Sequence, residues 1–177
     1  MRTNTLTGGM VQRQKIWRIK MKRSILVGSL LAALLLISSS VRADNSGIIQ
    51  AWVDAWNSHD ADQVVSVFAP DATYIDVPFN SKSVGTEQIH ELAASFFAAS
   101  PDVHIQLVRG VLSGHHGTIE WILSGTDVGV FRTGKKYSFH GVSVIDTKNN
   151  LITANLDYYD LETQLCQLGL GTFCIQH

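Results

Sequence analysis

The chain of 177 residues is 45% hydrophobic and 16% charged, a composition typical of a globular protein rather than a disordered or collagen-like one. Eight of its 14 basic residues precede Asp44, the first acidic residue, so residues 44–177 carry six basic against 15 acidic side chains, a net charge of −9. Because a body this acidic repels a phosphate backbone, the composition argues against nucleic-acid binding.

The first 43 residues have the pattern of a secretory signal peptide. Lys22 and Arg23 precede an uncharged, mostly apolar run of 13 residues at 25–37, and Val41 and Ala43 form an A-x-A-like cleavage pattern before Asp44. The run is shorter than the roughly 20 apolar residues of a membrane-spanning helix. We therefore expect residues 1–43 to be a signal peptide, with Met21 as an alternative start. Residues 44–177 are then one domain, periplasmic or secreted, without a stable membrane anchor.

Helical periodicity dominates the first half of this domain. A first helix is predicted over residues 48–56, and the polar segment 57–60 ends it. Asp60 is a suitable N-cap for a short second helix that Pro70 ends, and residues 72–77 are predicted to form a short strand. Thr86 is a suitable N-cap for a third helix, whose apolar stripe recurs at i, i+3, i+4, i+7 and i+8 before Pro101.

After Pro101 the apolar period changes to two, which is typical of strands. Four strands separated by Gly or Asn turns are predicted near residues 103–108, 118–123, 137–145 and 151–159. Helices followed by such a meander predict an α+β fold, with the helices on one face of an antiparallel sheet. A strongly bent sheet of this kind would enclose a pocket suited to chemistry.

Cys166 and Cys174 are the two cysteines of the chain. In an oxidising compartment they can close a short loop and pin the C-terminal tail, or they can remain free thiols. Their spacing fits neither a C-x-x-C redox motif nor, by itself, a metal site. The sequence also carries no phosphate-binding Gly-rich loop, nucleophile elbow or zinc signature, so we expect no cofactor and no metal.

Short motifs occur along the domain in this order: AWNSHD at 55–60, FAPDAT at 68–73, GTDVG at 125–129, GVSV at 141–144, DYYD at 157–160 and QLG at 167–169. Together they resemble the nuclear transport factor 2-like superfamily and, within it, the SnoaL-like polyketide cyclases. The resemblance implies a cone-shaped α+β fold, a curved antiparallel sheet with three N-terminal helices packed across its concave face. It also implies a homodimer formed through the outer face of the sheet.

The same resemblance implies an activity, although the fold alone does not choose a reaction. It points to a cofactor-free acid/base cyclase or isomerase that acts on a small hydrophobic carbonyl compound through an enolate. The alternative is a non-catalytic module of the same fold that binds a small hydrophobic molecule or mediates association. Export favours this alternative, because polyketide precursors are normally handled in the cytoplasm.

Asp157 is the first candidate for the acid/base group, because the resemblance places it at the position of the family's catalytic aspartate. A carboxylate in a poorly solvated cavity has a raised pKa, so it can remove a proton α to a carbonyl and deliver one again. The alternative is that Asp157 or Asp160 merely caps the helix from Leu161. Asp160 suits that role better, which leaves Asp157 free.

Asp76 is the second candidate, since residues 72–76 resemble the first strand of ketosteroid isomerases, whose general base is the aspartate at this position. The alternative is a turn residue before Pro78. The oxyanion tyrosine of those enzymes falls at Trp52, whose indole N–H is a weaker acid than a phenol.

One position departs from the pattern of the SnoaL-like cyclases. Asp127 replaces the histidine of their Gly-Thr-His-x-Gly motif, and the loop that follows is shorter, which predicts a different pocket rim.

His140 is the third candidate. If Asn149 and Asn150 form a two-residue hairpin loop, His140 lies opposite Tyr159, diagonal to Asp157 on the same face. A histidine–carboxylate pair is an acid/base unit near neutral pH. A β-bulge or a slip of one residue would instead turn the histidine to the other face.

Aromatic side chains on the predicted helices and strands are candidates for substrate binding, with plain core packing as the alternative. They are Trp52, Trp56, Tyr74, Trp121 and Tyr159.

Overall fold

The computed structural model describes residues 46–174 of the chain. The predicted signal peptide and the alternative start at Met21 lie outside the described residues. Within the described part, no helix is both long enough and apolar enough to cross a membrane.

Four helices are described: α1 (Ser46–Asn57), α2 (Ala61–Ser66), α3 (Gly85–Ala99) and α4 (Leu161–Leu168). Two predicted caps are confirmed, because the carboxylates of Asp60 and Asp160 accept hydrogen bonds from backbone N–H groups in the first turns of α2 and α4. The prediction that Thr86 caps α3 is wrong. That helix already begins at Gly85, and its N-cap residue Val84 has no side-chain oxygen to offer.

Within residues 46–174, six strands form one curved, unclosed sheet: β1 (Phe68–Asp76), β2 (Ser81–Val84), β3 (His104–Ser113), β4 (His116–Thr126), β5 (Lys136–Lys148) and β6 (Leu151–Tyr159). Their spatial order is β2-β1-β6-β5-β4-β3. The predicted α+β class and the meander of β3 to β6 are therefore confirmed.

The prediction of a wholly antiparallel sheet is wrong at one place, because β1 pairs with β6 in parallel. Periodicity identifies hairpins between neighbours in the chain, whereas this pairing joins strands separated by α3 and three other long strands. Strand β1 also begins at Phe68, before the predicted start, and pairs with the unpredicted short strand β2. The parallel contact places Asp76 directly beside Asp157.

The β5–β6 hairpin explains where the predicted register fails. Asn149 and Asn150 form the expected turn, with φ of 53° and 60°. A register shift between Asp146 and Thr147 then moves all later pairs by one residue. As a result Asp157 pairs with Ser143, whereas the unshifted register would pair it with Val142.

An aromatic cluster packs the helices onto the sheet. Trp56 of α1 lies at its centre, with ring centroids 5.8 Å from Tyr74 and 5.9 Å from both Phe96 and Phe97. Aromatic rings at such distances contribute more than their buried area alone. The helices α1 and α3 are thereby fixed relative to β1.

The C-terminal tail is tied back to α4 by a disulfide between Cys166 and Cys174. The sequence left this pairing open, and the structure shows the two cysteines joined. Gly169, with a φ of 79°, ends α4 in the left-handed conformation.

Candidate active site

A cavity of about 460 Å³ is lined by α1, α3, α4 and the facing side chains of the sheet. This volume lies within the range of small-molecule sites. Its wall is largely aromatic and aliphatic, and three carboxyl groups, those of Asp76, Asp127 and Asp157, contribute to it. None of the described residues that line it is a lysine, arginine or histidine.

The structure brings most of the predicted site residues to this cavity. Those that line it are Asp157, Asp76, Trp52, Trp56, Tyr74, Trp121 and Tyr159. The exception is His140.

Asp157 is buried, with 8% of its surface exposed, and it accepts three hydrogen bonds. Its Oδ1 accepts from Ser143 Oγ at 2.6 Å and from Asn155 Nδ2 at 2.7 Å, while its Oδ2 accepts from the Tyr74 hydroxyl. Burial raises the pKa of Asp157 to about 6, although the three hydrogen bonds favour the ionised form and oppose this rise. The carboxyl group can therefore change protonation state near neutral pH.

Asp76 lies beside Asp157 on the neighbouring strand, in the same register and facing the same cavity. The hydroxyl of Tyr159 donates to both of its oxygens, at 3.2 and 3.1 Å, and the backbone N–H of Phe79 donates to Oδ1 at 3.2 Å. Burial raises the pKa of Asp76, while these hydrogen bonds oppose the rise. The bond from Phe79 shows that Asp76 also stabilises the turn before β2, so both roles considered for it from the sequence are compatible.

His140 lies on the opposite face of β5, exposed to solvent, and does not line the cavity. The predicted pairing of His140 with Tyr159 is wrong: the shifted register pairs Tyr159 with Gly141. Because strand side chains alternate, this shift of one residue is sufficient to turn the histidine outward.

The same register shift turns the side chain of Ser143 toward Asp157, although Ser143 is not among the site residues predicted from the sequence. Ser143 is fully buried, donates to Asp157 and accepts a hydrogen bond from Trp121 Nε1 at 2.9 Å. Asn155, also fully buried, is the other missed partner. The alternation of β6 predicts that Asn155 shares a face with Asp157, but Ser143 could have been found only with the bulge in place.

Two indoles of α1 present polar hydrogens without partners. The Nε1 atoms of Trp52 and Trp56 are buried and have no hydrogen-bond acceptor among the residues described. An unpaired buried donor costs free energy, about 1–3 kcal/mol. Both side chains line the cavity, so an acceptor on a bound molecule would lower this cost.

Asp127 organises the loop at the rim, over residues 128–134. Its Oδ1 accepts from the Phe131 backbone N–H at 3.0 Å, and its Oδ2 accepts from the N–H and the hydroxyl of Thr133, both at 2.8 Å. Burial opposes ionisation, but these bonds outweigh it and lower the pKa of Asp127. Its carboxylate is thus an anchor for the loop that carries Val130 and Phe131 into the cavity wall.

One group of side chains in the described range has the spacing of metal ligands, namely Glu162, Cys166 and Cys174. Its two sulfur atoms are joined in the disulfide, and a thiolate is the form of cysteine that binds metals.

Comparison with known proteins gives a consistent fold. The model of the SnoaL-like domain matches residues 49–155. A hypothetical protein with a ketosteroid isomerase-like fold from Catenulispora acidiphila, solved in complex with trimethylamine, is 30% identical, and the match covers 70% of this chain and 93% of that chain, with a TM-score of 0.65.

Two more distant structures agree in fold alone. An LEH-like epoxide hydrolase from M. tuberculosis is 19% identical over 70% of this chain and 88% of that chain, with a TM-score of 0.59. IdmH from Streptomyces antibioticus, provisionally named a polyketide cyclase, is 21% identical over 71% of this chain and 99% of that chain, with a TM-score of 0.62.

Proposed function

Because this chain belongs to the SnoaL-like domain family, we propose that it is a cofactor-free acid/base enzyme that forms an enolate from a small hydrophobic carbonyl compound. Cyclisation and isomerisation are the reactions that such an enolate serves. The observation that carries the proposal is the buried carboxyl group of Asp157 in an apolar cavity, with its pKa raised to about 6.

Asp157 is the group to which we assign proton transfer. Near neutral pH its carboxylate removes a proton from the carbon α to the carbonyl. The electron pair of the broken C–H bond becomes the C=C bond of the enolate, and the π electron pair of the carbonyl moves onto its oxygen. The carboxylic acid so formed returns the proton to carbon or to an alkoxide when the product forms. A pKa near the working pH allows one group to perform both steps. The donors Ser143, Asn155 and Tyr74 fix the orientation of the carboxylate.

We assign the indole N–H groups of Trp52 and Trp56 to the carbonyl oxygen. They are donors only, they line the cavity, and they lack acceptors within the described part of the chain. Donors aimed at an oxygen that gains negative charge stabilise the transition state more than the ground state.

The experiment is α-proton exchange, which needs no knowledge of the final product. The protein is incubated in D2O with a panel of cyclic ketones that includes 2-tetralone, and loss of the α-proton signal is followed by NMR. We expect exchange faster than buffer alone, and a loss of about 10²- to 10⁴-fold in Asp157→Asn. Asp146→Asn on the same hairpin, outside the cavity, is the matched control and should keep the wild-type rate.

A folded Asp157→Asn protein that exchanges protons as fast as the wild type would remove Asp157 from the mechanism. Circular dichroism and the amide NMR spectrum establish that the variant is folded.

The second candidate is a binding module without catalysis. The observation that favours it is that Asp157 already accepts three hydrogen bonds from the protein, as a purely structural carboxylate also would. Tight binding of a small molecule in the cavity, without α-proton exchange in any ketone tested, would support this candidate over the enzyme.

Export and self-association complete the proposal. We propose a periplasmic or secreted protein, and the Cys166–Cys174 disulfide supports this because such bonds persist in oxidising compartments.

In the cone arrangement that the family implies, the three helices α1 to α3 cover the concave face. The outer face is left for a homodimer, which exposed Val144 and Tyr158 support. Sedimentation equilibrium of the wild type and of Tyr158→Lys tests the dimer.

A further inference from the structure

Among the described residues that line it, the cavity has carboxylates and no cationic side chain to balance them. We propose that the molecule it takes is a hydrophobic amine, bound as an ammonium cation beside Asp76 and among aromatic rings. This inference rests on the proposed function in that the same cavity is the substrate site. Combined with enolate chemistry, it makes the substrate an amino carbonyl compound.

The charge arrangement is the first support. Asp76 and Asp157 are register partners on adjacent strands, which lie about 4.8 Å apart, and both face the cavity. Like charges this close repel each other, and repulsion is strong where water is scarce. Since none of the described lining residues is basic, a cation brought by the ligand would relieve this repulsion while both carboxylates stay ionised.

The hydrogen bonds distinguish the two carboxylates. Asp157 accepts from three donors, and the two distances to its Oδ1 are 2.6 and 2.7 Å. Asp76 shares one tyrosine hydroxyl between its two oxygens and receives one backbone N–H, all at 3.1–3.2 Å. A carboxylate has about four acceptor sites. Asp76, with two donors, therefore has room for an ammonium group, whereas Asp157 keeps about one acceptor site, which is sufficient to take up a proton.

The aromatic rings around Tyr159, the side-chain donor to Asp76, are the second support. Tyr159, its hydrogen-bond donor, stacks on Phe139 with a centroid distance of 4.9 Å and lies 6.2 Å from Trp121. All three rings line the cavity. The negative face of an aromatic ring attracts a cation within about 6 Å, and most strongly where water is excluded. Carboxylate and rings together favour an alkylated or aryl-substituted ammonium over a neutral molecule of the same shape.

Affinity measurements on the full chain separate charge from shape. Phenyltrimethylammonium and tert-butylbenzene have nearly the same shape and differ by one positive charge. Binding is followed by tryptophan fluorescence or calorimetry at pH 7.5. We expect the cation to bind at least tenfold more tightly than the neutral probe to the wild-type protein, a comparison that requires no variant.

Variants then locate the charge. Asp76→Asn should reduce the preference for the cation to threefold or less, whereas Asp146→Asn, outside the cavity, should leave it unchanged. Equal or tighter binding of tert-butylbenzene, no binding of the cation, or a folded Asp76→Asn protein that keeps the full preference would each overturn the inference.

The two proposals fail in different ways. If the neutral probe binds as tightly as the cation while Asp157→Asn still abolishes ketone exchange, the amine inference is wrong and the enzyme proposal stands. If the cation preference depends on Asp76 but exchange does not depend on Asp157, the cavity binds amines without the proposed catalysis.

Discussion

The hydroxyl of Tyr74 illustrates how single atoms set the chemistry of Asp157. Burial raises the pKa of this tyrosine well above its usual value, so the hydroxyl stays protonated and donates to the carboxylate. That bond stabilises the ionised aspartate and therefore lowers its pKa. The value of about 6 is thus a balance between burial and donation.

Replacing Tyr74 with Phe should raise the pKa of Asp157 further, because one stabilising donor is lost while burial remains. A hydrogen bond to a charged group contributes about 1.5–3 kcal/mol, equal to tenfold or more in the ionisation equilibrium. The acid limb of the pH–rate profile should move to higher pH, and Ser143→Ala, which removes a donor to the other oxygen, should move it the same way. An unchanged or lower midpoint in both variants would contradict this balance.

Elements rather than single residues determine which side chains meet. The helices, the Asn149–Asn150 turn and the strands of the meander could be predicted because their signals are local. The parallel β1–β6 contact could not, since nothing in the two strands encodes their pairing across the intervening chain. Motif resemblance identified Asp76 and Asp157 separately, but only this contact places them side by side.

The hairpin bulge set the limit for the rest of the site. It turns the predicted inward residue His140 to solvent and turns Ser143 inward, and periodicity alone contains no signal for an extra residue in β6. The aromatic residues of the site could be predicted from the sequence more readily, because large side chains on an apolar face line the interior whichever neighbour they contact.

The rim loop provides a prediction at the same scale. Asp127→Ala removes three hydrogen bonds, so we expect the free energy of unfolding to fall by about 1–3 kcal/mol and phenyltrimethylammonium to bind more weakly. Because the pKa of Asp127 is lowered on folding, the stability that it contributes is present at neutral pH and is lost as the pH falls.

Thr133→Val is the control, since it removes one hydroxyl and keeps both backbone bonds to Asp127. Its effect in urea denaturation should be the smaller of the two. An Asp127→Ala protein as stable as the wild type would show that the loop is held by other contacts.

For the whole molecule, a carboxyl group with a raised pKa makes stability depend on pH. Asp157 titrates at about 6 when folded against 3.8 as its ordinary value, so the folded state holds its proton more tightly. Its favourable contribution is complete below the unfolded pKa and is lost as the pH rises through 6.

Urea denaturation of the wild type and of Asp157→Asn at pH 4 and pH 7 measures this contribution. Relative to the variant, the wild type should lose about 2 kcal/mol between the two values, somewhat less than the full difference between the two pKa values, because the unfolded carboxyl group is already more than half ionised at pH 4. Carboxylates with lowered pKa, such as Asp127, act in the opposite direction but are common to both proteins. If the difference in the free energy of unfolding between wild type and variant is the same at both pH values, burial does not oppose the ionisation of Asp157.

The most direct measurement is a carbon-13 NMR titration of the side-chain carboxyl groups in the wild-type protein, with the Asp157 signal identified from its absence in Asp157→Asn. The structure predicts a midpoint for Asp157 at about 6, set by burial in the apolar cavity. A midpoint at or below 4 would contradict the account, because a carboxyl group with the acidity of an exposed aspartate is neither desolvated nor suited to exchange protons near neutral pH.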